Sequence, residues 1–217
     1  MSFNIIDFKS ALYSHKGTVL SGQVAYRYVN SALLTKNITR NPLNCFYSYT
    51  RGYRFNFPYT FPSLYLSFSD FVATLEAGQK PSSLSTIFDN REREPGIIYS
   101  VRISGHFANL IEEKSLNELS FNKDQPEYLI STHEWEEKAK NGKLAITHQI
   151  GQAIYDAGFD GLIYFSFPAW ELRFRYKPDI ISNICVFMSM EDPNRPKNNL
   201  CSLELFEQDH FTEKLIS

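Results

Sequence analysis

Residues 146–166 read ITHQIGQAIYDAGFDGLIYFS, and this stretch decides the fold. Its first part carries apolar residues at positions 146, 150, 153, 154 and 157, the spacing of one face of an amphipathic helix. Gly158 is expected to end this helix, because glycine readily adopts the backbone conformation found at helix ends. Residues 161–165 form a short apolar run that is typical of a buried strand. A helix that leads directly into a buried strand indicates a core in which helices pack against a sheet.

The elements predicted on either side of this stretch make the chain a single α+β domain. Helices are predicted at 4–13, from Ser69 or Asp70 to about 77 with Gly78 as C-cap, and from His133, capped by Thr132, to 140; strands are predicted at 24–29, 64–67, 97–103, 184–188 and 203–206. Segment 30–62 is expected to be irregular, and a loop of this length usually lines a site. Segment 79–96, which carries the charge run 91–94, is expected to be a solvated loop. The domain is expected to span 1–217, with a core from about 24 to 190 and with helix 4–13 and a strand at 201–207 as additions.

The composition is that of a globular protein rich in aromatic side chains. The chain has 217 residues, of which 43% are hydrophobic and 15% aromatic, and its net charge is −2. This apolar content is sufficient for a core, and the near-neutral charge argues against bulk binding to nucleic acid or to an anionic membrane. No stretch approaches the ~20 apolar residues of a membrane span. We therefore expect no direct nucleic-acid partner and no membrane partner.

The cysteines and the absence of several known motifs argue against some kinds of site. Cys45, Cys185 and Cys201 are odd in number and widely spaced, so a disulfide framework and a CxxC metal site are both poor interpretations. The segment 133–137, HEWEE, lacks the second histidine of an HExxH zinc site. No dinucleotide-binding GxGxxG, P-loop or GxSxG motif occurs. The N-terminus has no hydrophobic run of a signal peptide. A cytoplasmic protein without a metal is expected.

Four short blocks remain as candidates for function. They are Tyr26-Arg27-Tyr28, Gly52-Tyr53-Arg54-Phe55-Asn56, Leu64-Tyr65-Leu66-Ser67 followed by Glu76, and the segment from Gly158 to Ser166. Arg54, Tyr65 and Glu76 are equally spaced along the chain. In this order and spacing, the blocks resemble the RES domain, which is the toxin half of many bacterial toxin–antitoxin pairs and is named for an Arg, a Glu and a Ser.

The resemblance implies an ADP-ribosyltransferase-like fold, with a split β-sheet core and surrounding helices, and chemistry on NAD⁺. Members of the family cleave the nicotinamide–ribose bond by phosphorolysis, hydrolysis or ADP-ribosyl transfer. The implied catalytic residues are Glu76, Arg54, Tyr65 and Ser166, and the implied NAD⁺-binding residues are Arg27, Tyr28, Arg54, Tyr65 and Ser166. NAD⁺ is thus the implied substrate, with phosphate as a candidate co-substrate. The implied protein partner is an antitoxin with an Xre-type helix-turn-helix domain.

The basic and aromatic residues of this set suit a dinucleotide. A planar guanidinium group binds a pyrophosphate through two hydrogen bonds, which makes Arg27 and Arg54 the candidates for that contact. The nicotinamide ring of NAD⁺ is a cation, and the face of a tyrosine attracts cations by ~0.5–2 kcal/mol. Tyr28 or Tyr65 is therefore the candidate for the ring contact.

The remaining two residues are expected at the reacting end of the substrate. The Glu76 carboxylate can stabilise an oxocarbenium-like ribose or position the proton of the nucleophile, and Ser166 can hold a ribose hydroxyl or the nicotinamide amide. Three functions stay open: degradation of NAD⁺, transfer of ADP-ribose to a protein, and non-catalytic binding. Transferases of this fold commonly carry an acidic residue two positions before the catalytic Glu. Thr74 stands there, which favours degradation of NAD⁺.

Overall fold

A six-stranded sheet with helices on its outer face forms the described part of the chain. The computed structural model describes residues 3–30, 41–77, 96–121, 134–170, 177 and 181–206. The strands are β1 (Thr18–Asn30), β2 (Ser63–Ser67), β3 (Gly96–Asn109), β4 (Gly161–Phe165), β5 (Ser182–Phe187) and β6 (Ser202–Phe206). The helices are α1 (Ile5–Leu12), α2 (Phe46–Arg51), α3 (Asp70–Ala77), α4 (Glu113–Glu118), α5 (Glu134–Lys140), α6 (Ile146–Asp156) and α7 (Phe167–Trp170).

The sheet curls and closes on itself. Its strand order is β1-β2-β5-β4-β3-β6, and β1 also pairs with β3 along most of its length. β3 is long enough to pair with β6 through residues 100–104 and with β4 through residues 107–109. The β1–β2 contact is much shorter, because Tyr26 opposite Ser67 is its one register pair. That single pair completes the ring of strands.

Alternating side chains of the strands divide the core into an inner and an outer part. The inner part lies within the curled sheet and takes residues from every strand, including Ala25, Leu64, Ile103, Ile163 and Ile184. The outer part lies between the sheet and helices α1 and α6, and includes Phe8, Ile150, Leu162, Cys185 and Phe187. Since residues i and i+2 of a strand share a face, Tyr65, Tyr164 and Asn183 belong to the outer face.

Gly161 and Asp160 fix the junction between α6 and β4. A Cβ atom on Gly161 would lie 1.9 Å from the carbonyl oxygen of Cys185, so only glycine allows β4 to approach β5 this closely. The buried Asp160 carboxylate accepts hydrogen bonds from the backbone N–H of His106 and from Asn198 Nδ2, each at 2.6 Å. The Gly-Phe-Asp-Gly part of the last sequence block is therefore structural.

Most predicted elements are present, with differences in length. The strand predicted at 161–165 is confirmed, and the first helix begins after Asn4, whose side chain accepts a hydrogen bond from the N–H of Ile6 at 3.0 Å. Ser69 accepts from the N–H of Val72 and so caps α3. β1 and β3 are much longer than predicted.

The prediction of an irregular segment over 30–62 is wrong in part, because it contains α2. Segments 31–40, 78–95 and 122–133 lie outside the described residues, and with them Gly78, Thr132, His133 and nearly all of the loop predicted at 79–96. Within the described ranges, no helix combines the length and the apolar character that crossing a membrane requires.

Candidate active site

A row of polar side chains crosses three neighbouring strands on the outer face of the sheet. Asn183 on β5 lies opposite Ser67 on β2 and opposite Tyr164 on β4. Directly opposed residues of adjacent strands point to the same face and are close enough to interact. All three side chains are buried. A buried polar row requires internal hydrogen-bond partners, and Glu76 supplies one.

The carboxylate of Glu76 is held above this row by two donors. Ser166 Oγ donates to Glu76 Oε1 at 2.7 Å, and Asn183 Nδ2 donates to the same oxygen at 2.5 Å. Ser67 Oγ in turn donates to Asn183 Oδ1 at 2.7 Å. The helix that carries Glu76 is anchored by Val72 and Leu75, which pack in a separate apolar cluster with side chains from β4 and α7.

Arg54 lies at the tip of a tight turn. The turn is closed by two backbone hydrogen bonds between Tyr53 and Asn56, at 2.9 and 3.3 Å. The Tyr65 hydroxyl braces it from the sheet, because it accepts from the N–H of Phe55 at 3.2 Å and donates to Asn56 Oδ1 at 2.9 Å. Burial raises the pKa of Tyr65 well above its usual value, so the hydroxyl keeps the proton it donates.

Helix α6 supports the same turn from the other side. His148 Nδ1 accepts from the N–H of Ala145 at 3.0 Å, so its proton is on Nε2, which faces the carbonyl oxygen of Tyr53 at 3.0 Å. Burial lowers the pKa of His148 to about 4, although the bond to Tyr53 acts in the opposite direction. A Cβ atom on Gly151 would lie 1.8 Å from the carbonyl oxygen of Phe55. The helix therefore touches the backbone of the turn directly.

Tyr164 links the arginine turn to the carboxylate. The guanidinium carbon of Arg54 lies 5.9 Å from the centre of the Tyr164 ring and 6.0 Å from that of Phe167, within the range of cation–π attraction. Burial raises the pKa of Tyr164 well above its usual value and the Glu76 charge raises it further, while Arg54 and a hydrogen bond with Asn183 lower it. Among the described residues, no carboxylate lies within salt-bridge distance of Arg54.

Arg27 and Tyr28 lie on opposite faces of β1. The Arg27 guanidinium group points to the inner side and donates to the backbone carbonyl of Pro42 and, at 3.0 Å, to that of Asn44. Burial lowers the pKa of Arg27, with the neighbouring Cys45 acting in the opposite direction. Tyr28 is half-buried, and its ring lies against Gly96.

The structure brings Glu76 and Ser166 into direct contact, and Tyr164 lies between Glu76 and Arg54. Tyr65 contacts the turn that carries Arg54. Arg27 is separate from this group, because its side chain bonds the loop at 42–44. Ser166 is fully buried and donates to Glu76; its direct contact with the substrate stays a prediction.

Sequence reasoning missed Asn183, Ser67 and the role of Tyr164. A signal for the first was present: an asparagine interrupts the apolar run 180–188, and asparagine is disfavoured within strands. Within the described ranges, no three His, Cys, Asp or Glu side chains are arranged to hold a metal ion.

Comparisons with known proteins identify the family of the chain. The model of the RES domain family matches residues 26–187, which is most of the chain. The chain therefore belongs to the RES domain family, as the four sequence blocks predicted. A chain in the crystal structure of the M. tuberculosis MbcT–MbcA toxin–antitoxin complex shares the fold, with a TM-score of 0.56 and 15% identity over 93% of this chain and 90% of that one. No curated protein matches the sequence significantly.

Proposed function

We propose that this protein is a toxin of a toxin–antitoxin pair, with an ADP-ribosyltransferase-like fold, that consumes cytoplasmic NAD⁺ by cleaving its nicotinamide–ribose bond. The observation that carries the proposal is the Glu76 carboxylate, held by Ser166 and Asn183 on one oxygen and close to the Tyr164–Arg54 pair. Family membership supports the same chemistry. The toxin–antitoxin complex that shares the fold supports a protein inhibitor, which we propose to be of the Xre type.

The reaction requires stabilisation of a positively charged sugar. When the bond between ribose C1 and the nicotinamide nitrogen breaks, the electron pair leaves with nicotinamide, and the ribose becomes an oxocarbenium-like cation. The fixed carboxylate of Glu76 stabilises that charge. A phosphate or a water molecule then forms the new bond to C1. Where water is the nucleophile, Glu76 is placed to accept its proton.

The binding roles divide among the remaining residues. We assign the pyrophosphate to Arg54, since its guanidinium group has no carboxylate partner among the described residues and arginine suits a bidentate contact. Tyr65 holds the turn that presents Arg54. Tyr28, which shares the sheet face of Tyr26 and Ser67, is the proposed contact for the nicotinamide ring. Arg27 holds the loop at 42–44, and its proposed part in substrate binding is through that loop.

The residue at position 74 favours NAD⁺ consumption over transfer to a protein. Thr74 occupies the position two residues before Glu76, and its hydroxyl donates to the carbonyl oxygen of Asp70 at 2.8 Å within the same helix. A threonine with its hydroxyl committed to its own helix supplies no second carboxylate for activating an acceptor side chain.

The test is release of nicotinamide from NAD⁺ by the purified protein, with and without phosphate. Glu76→Gln should abolish turnover while the thermal midpoint stays near that of wild type, whereas Glu136→Gln, at an exposed position of α5, should leave turnover unchanged. ADP-ribose-1″-phosphate would identify phosphorolysis, and free ADP-ribose would identify hydrolysis. Absence of nicotinamide release in both buffers would refute the proposal, and ADP-ribose label retained on protein would favour transfer.

A further inference from the structure

Asn183 occupies an unusual position for an amide side chain. It is the second residue of β5, a strand that lies between β2 and β4, and the residue is 3% exposed. Cys185, the next residue of β5 on the same face, and Tyr164, opposite Asn183 on β4, are both buried. Burying an amide in such surroundings is unfavourable unless its polar atoms are bonded, so the bonds that it makes identify its role.

Those bonds fix the orientation of the amide. Ser67 Oγ donates to Asn183 Oδ1, so the amide oxygen faces β2 and the Nδ2 group is turned towards Glu76. The Ser67 hydroxyl is itself buried. An amide that was flipped would present its oxygen to a carboxylate oxygen, which is repulsive.

The two oxygens of the Glu76 carboxylate are consequently different. Ser166 Oγ and Asn183 Nδ2 both donate to Oε1. In the described ranges no residue donates to Oε2. One oxygen is therefore anchored to the sheet, and the other remains available for a bound molecule.

We propose that Asn183 is a positioning residue for Glu76: oriented by Ser67, it anchors Oε1 and directs Oε2 to the ribose. The inference rests on the proposed function, because it assigns the reacting oxygen of that same site. Asn183 acts through Glu76 and touches no reacting atom. Precise placement of a catalytic group is worth up to about 100-fold in rate for a displacement of about 1 Å, and this sets the scale of the expected effect.

The experiment compares Asn183→Ala with Asn109→Ala. Asn109 is a matched control, since it is also 3% exposed on a strand and makes hydrogen bonds, to Thr18, Ile111 and Glu112, without contact to Glu76. We expect Asn183→Ala to lower kcat about 10- to 100-fold with KM for NAD⁺ changed less than about threefold. Asn109→Ala should leave kcat within about twofold, and Ser67→Ala should lower it less than Asn183→Ala.

Crystal structures of wild type and Asn183→Ala provide a readout that does not depend on turnover. The proposal predicts that the Glu76 carboxylate leaves its wild-type position in the variant. An unchanged carboxylate, or a wild-type kcat in Asn183→Ala, would overturn the proposal. A wild-type protein that releases no nicotinamide would instead overturn the proposed function, and the two crystal structures would then decide whether Asn183 orients Glu76. A variant that fails to crystallise is judged by the split between kcat and KM.

Discussion

At the scale of single residues, Arg27 and Arg54 have different surroundings. Arg27 uses both terminal nitrogens on backbone carbonyls of the loop at 42–44. Arg54 lies over aromatic rings at the tip of its turn. Loss of Arg27 leaves two carbonyls without their donors, and unsatisfied buried groups cost about 1–3 kcal/mol each. Loss of Arg54 removes only its cation–π contacts with Tyr164 and Phe167.

We predict that Arg27→Met and Arg54→Met separate stability from substrate binding. Methionine preserves much of the apolar stem in both variants. Arg27→Met should lower the free energy of unfolding by about 2–3 kcal/mol. Arg54→Met should lower it by about 1 kcal/mol or less, the scale of its cation–π contacts, and should weaken NAD⁺ binding at least tenfold. Urea denaturation and calorimetric titration measure the two quantities. Equal losses of stability would contradict the assignment.

Ser115, His15 and Glu118 are connected like the catalytic triad of a hydrolase, but the serine is not accessible to a substrate. His15 lies between Ser115 Oγ and Glu118 Oε2, with its ring nitrogens 3.1 Å from each. Ser, His and an acidic residue in this order form the nucleophilic site of many hydrolases. Here Ser115 is 5% exposed and the hydroxyl lies inside the fold. The role of this cluster is structural: its hydrogen bonds connect α4 to the segment that follows α1.

At the scale of elements, α6 and the turn at 53–56 act as one unit. The helix contacts the backbone of the turn at Gly151 and bonds it through His148. His148 accepts from the N–H of Ala145 only while Nδ1 is unprotonated. Protonation of Nδ1 therefore breaks the bond to Ala145 at the start of α6, while the Nε2–H group can donate to Tyr53 in both protonation states.

We predict an acid loss of stability through His148. Its folded-state pKa of about 4 lies below the value of about 6.5 in an unfolded chain. Protons bind the unfolded state more readily, so stability is present above pH 6.5 and is lost as the pH falls towards 4. Between pH 7 and pH 4.5 the loss is on the order of 2–3 kcal/mol. Urea denaturation at pH 7 and pH 4.5 measures it, and a His148→Gln variant with the same pH slope as wild type would contradict the attribution.

The elements show what local sequence could and could not predict. The periodicity of α6 and the apolar run of β4 lie within each segment, so both were found. α2 and α4 have six residues each, too few to show a helical period. The extra length of β1 includes Ser21, Gly22 and Gln23, which have no strand pattern of their own, and pairing with β3 keeps them in the sheet across a bulge.

Some residues of the candidate site could likewise be predicted from the sequence, and others could not. Glu76, Arg54 and Ser166 lie in motifs that can be read along the chain. Asn183 gains its role from the register of β5 against β2 and β4, and a cross-strand register is set by contacts between distant segments. The role of Arg27 in holding the loop at 42–44 could not be predicted either, because it depends on how that loop packs against β1.

At the scale of the whole molecule, the interior contains several thiol and phenol groups that burial keeps neutral. Cys45, Cys185 and Cys201 are all buried free thiols, and burial raises the pKa of each to about 12. Burial raises the pKa of Tyr65 and Tyr164 as well. The folded protein thus resists ionisation of these groups, whereas the unfolded chain ionises at ordinary values.

We predict a loss of stability in alkaline solution. Because the folded-state pKa of each thiol exceeds the unfolded value of about 8.5, this contribution is fully present below pH 8.5 and is lost as the pH rises towards 12. At pH 10 the loss is on the order of 1–2 kcal/mol per thiol. Urea denaturation at pH 8 and pH 10 checks it. Cys201→Ala should show a smaller decrease than wild type, and an identical decrease would contradict the prediction.

Closure of the sheet has a consequence for the timing of synthesis. Ser67 both completes the ring of strands opposite Tyr26 and orients Asn183. β5 lies at the centre of the strand order but follows β1 to β4 along the chain. A ribosome must therefore release residue 187 before the ring can form and before Glu76 gains its anchor. Until that moment the nascent polypeptide carries every sequence block but lacks the arrangement on which the proposed activity depends, so we expect that activity to begin only after β5 has been made.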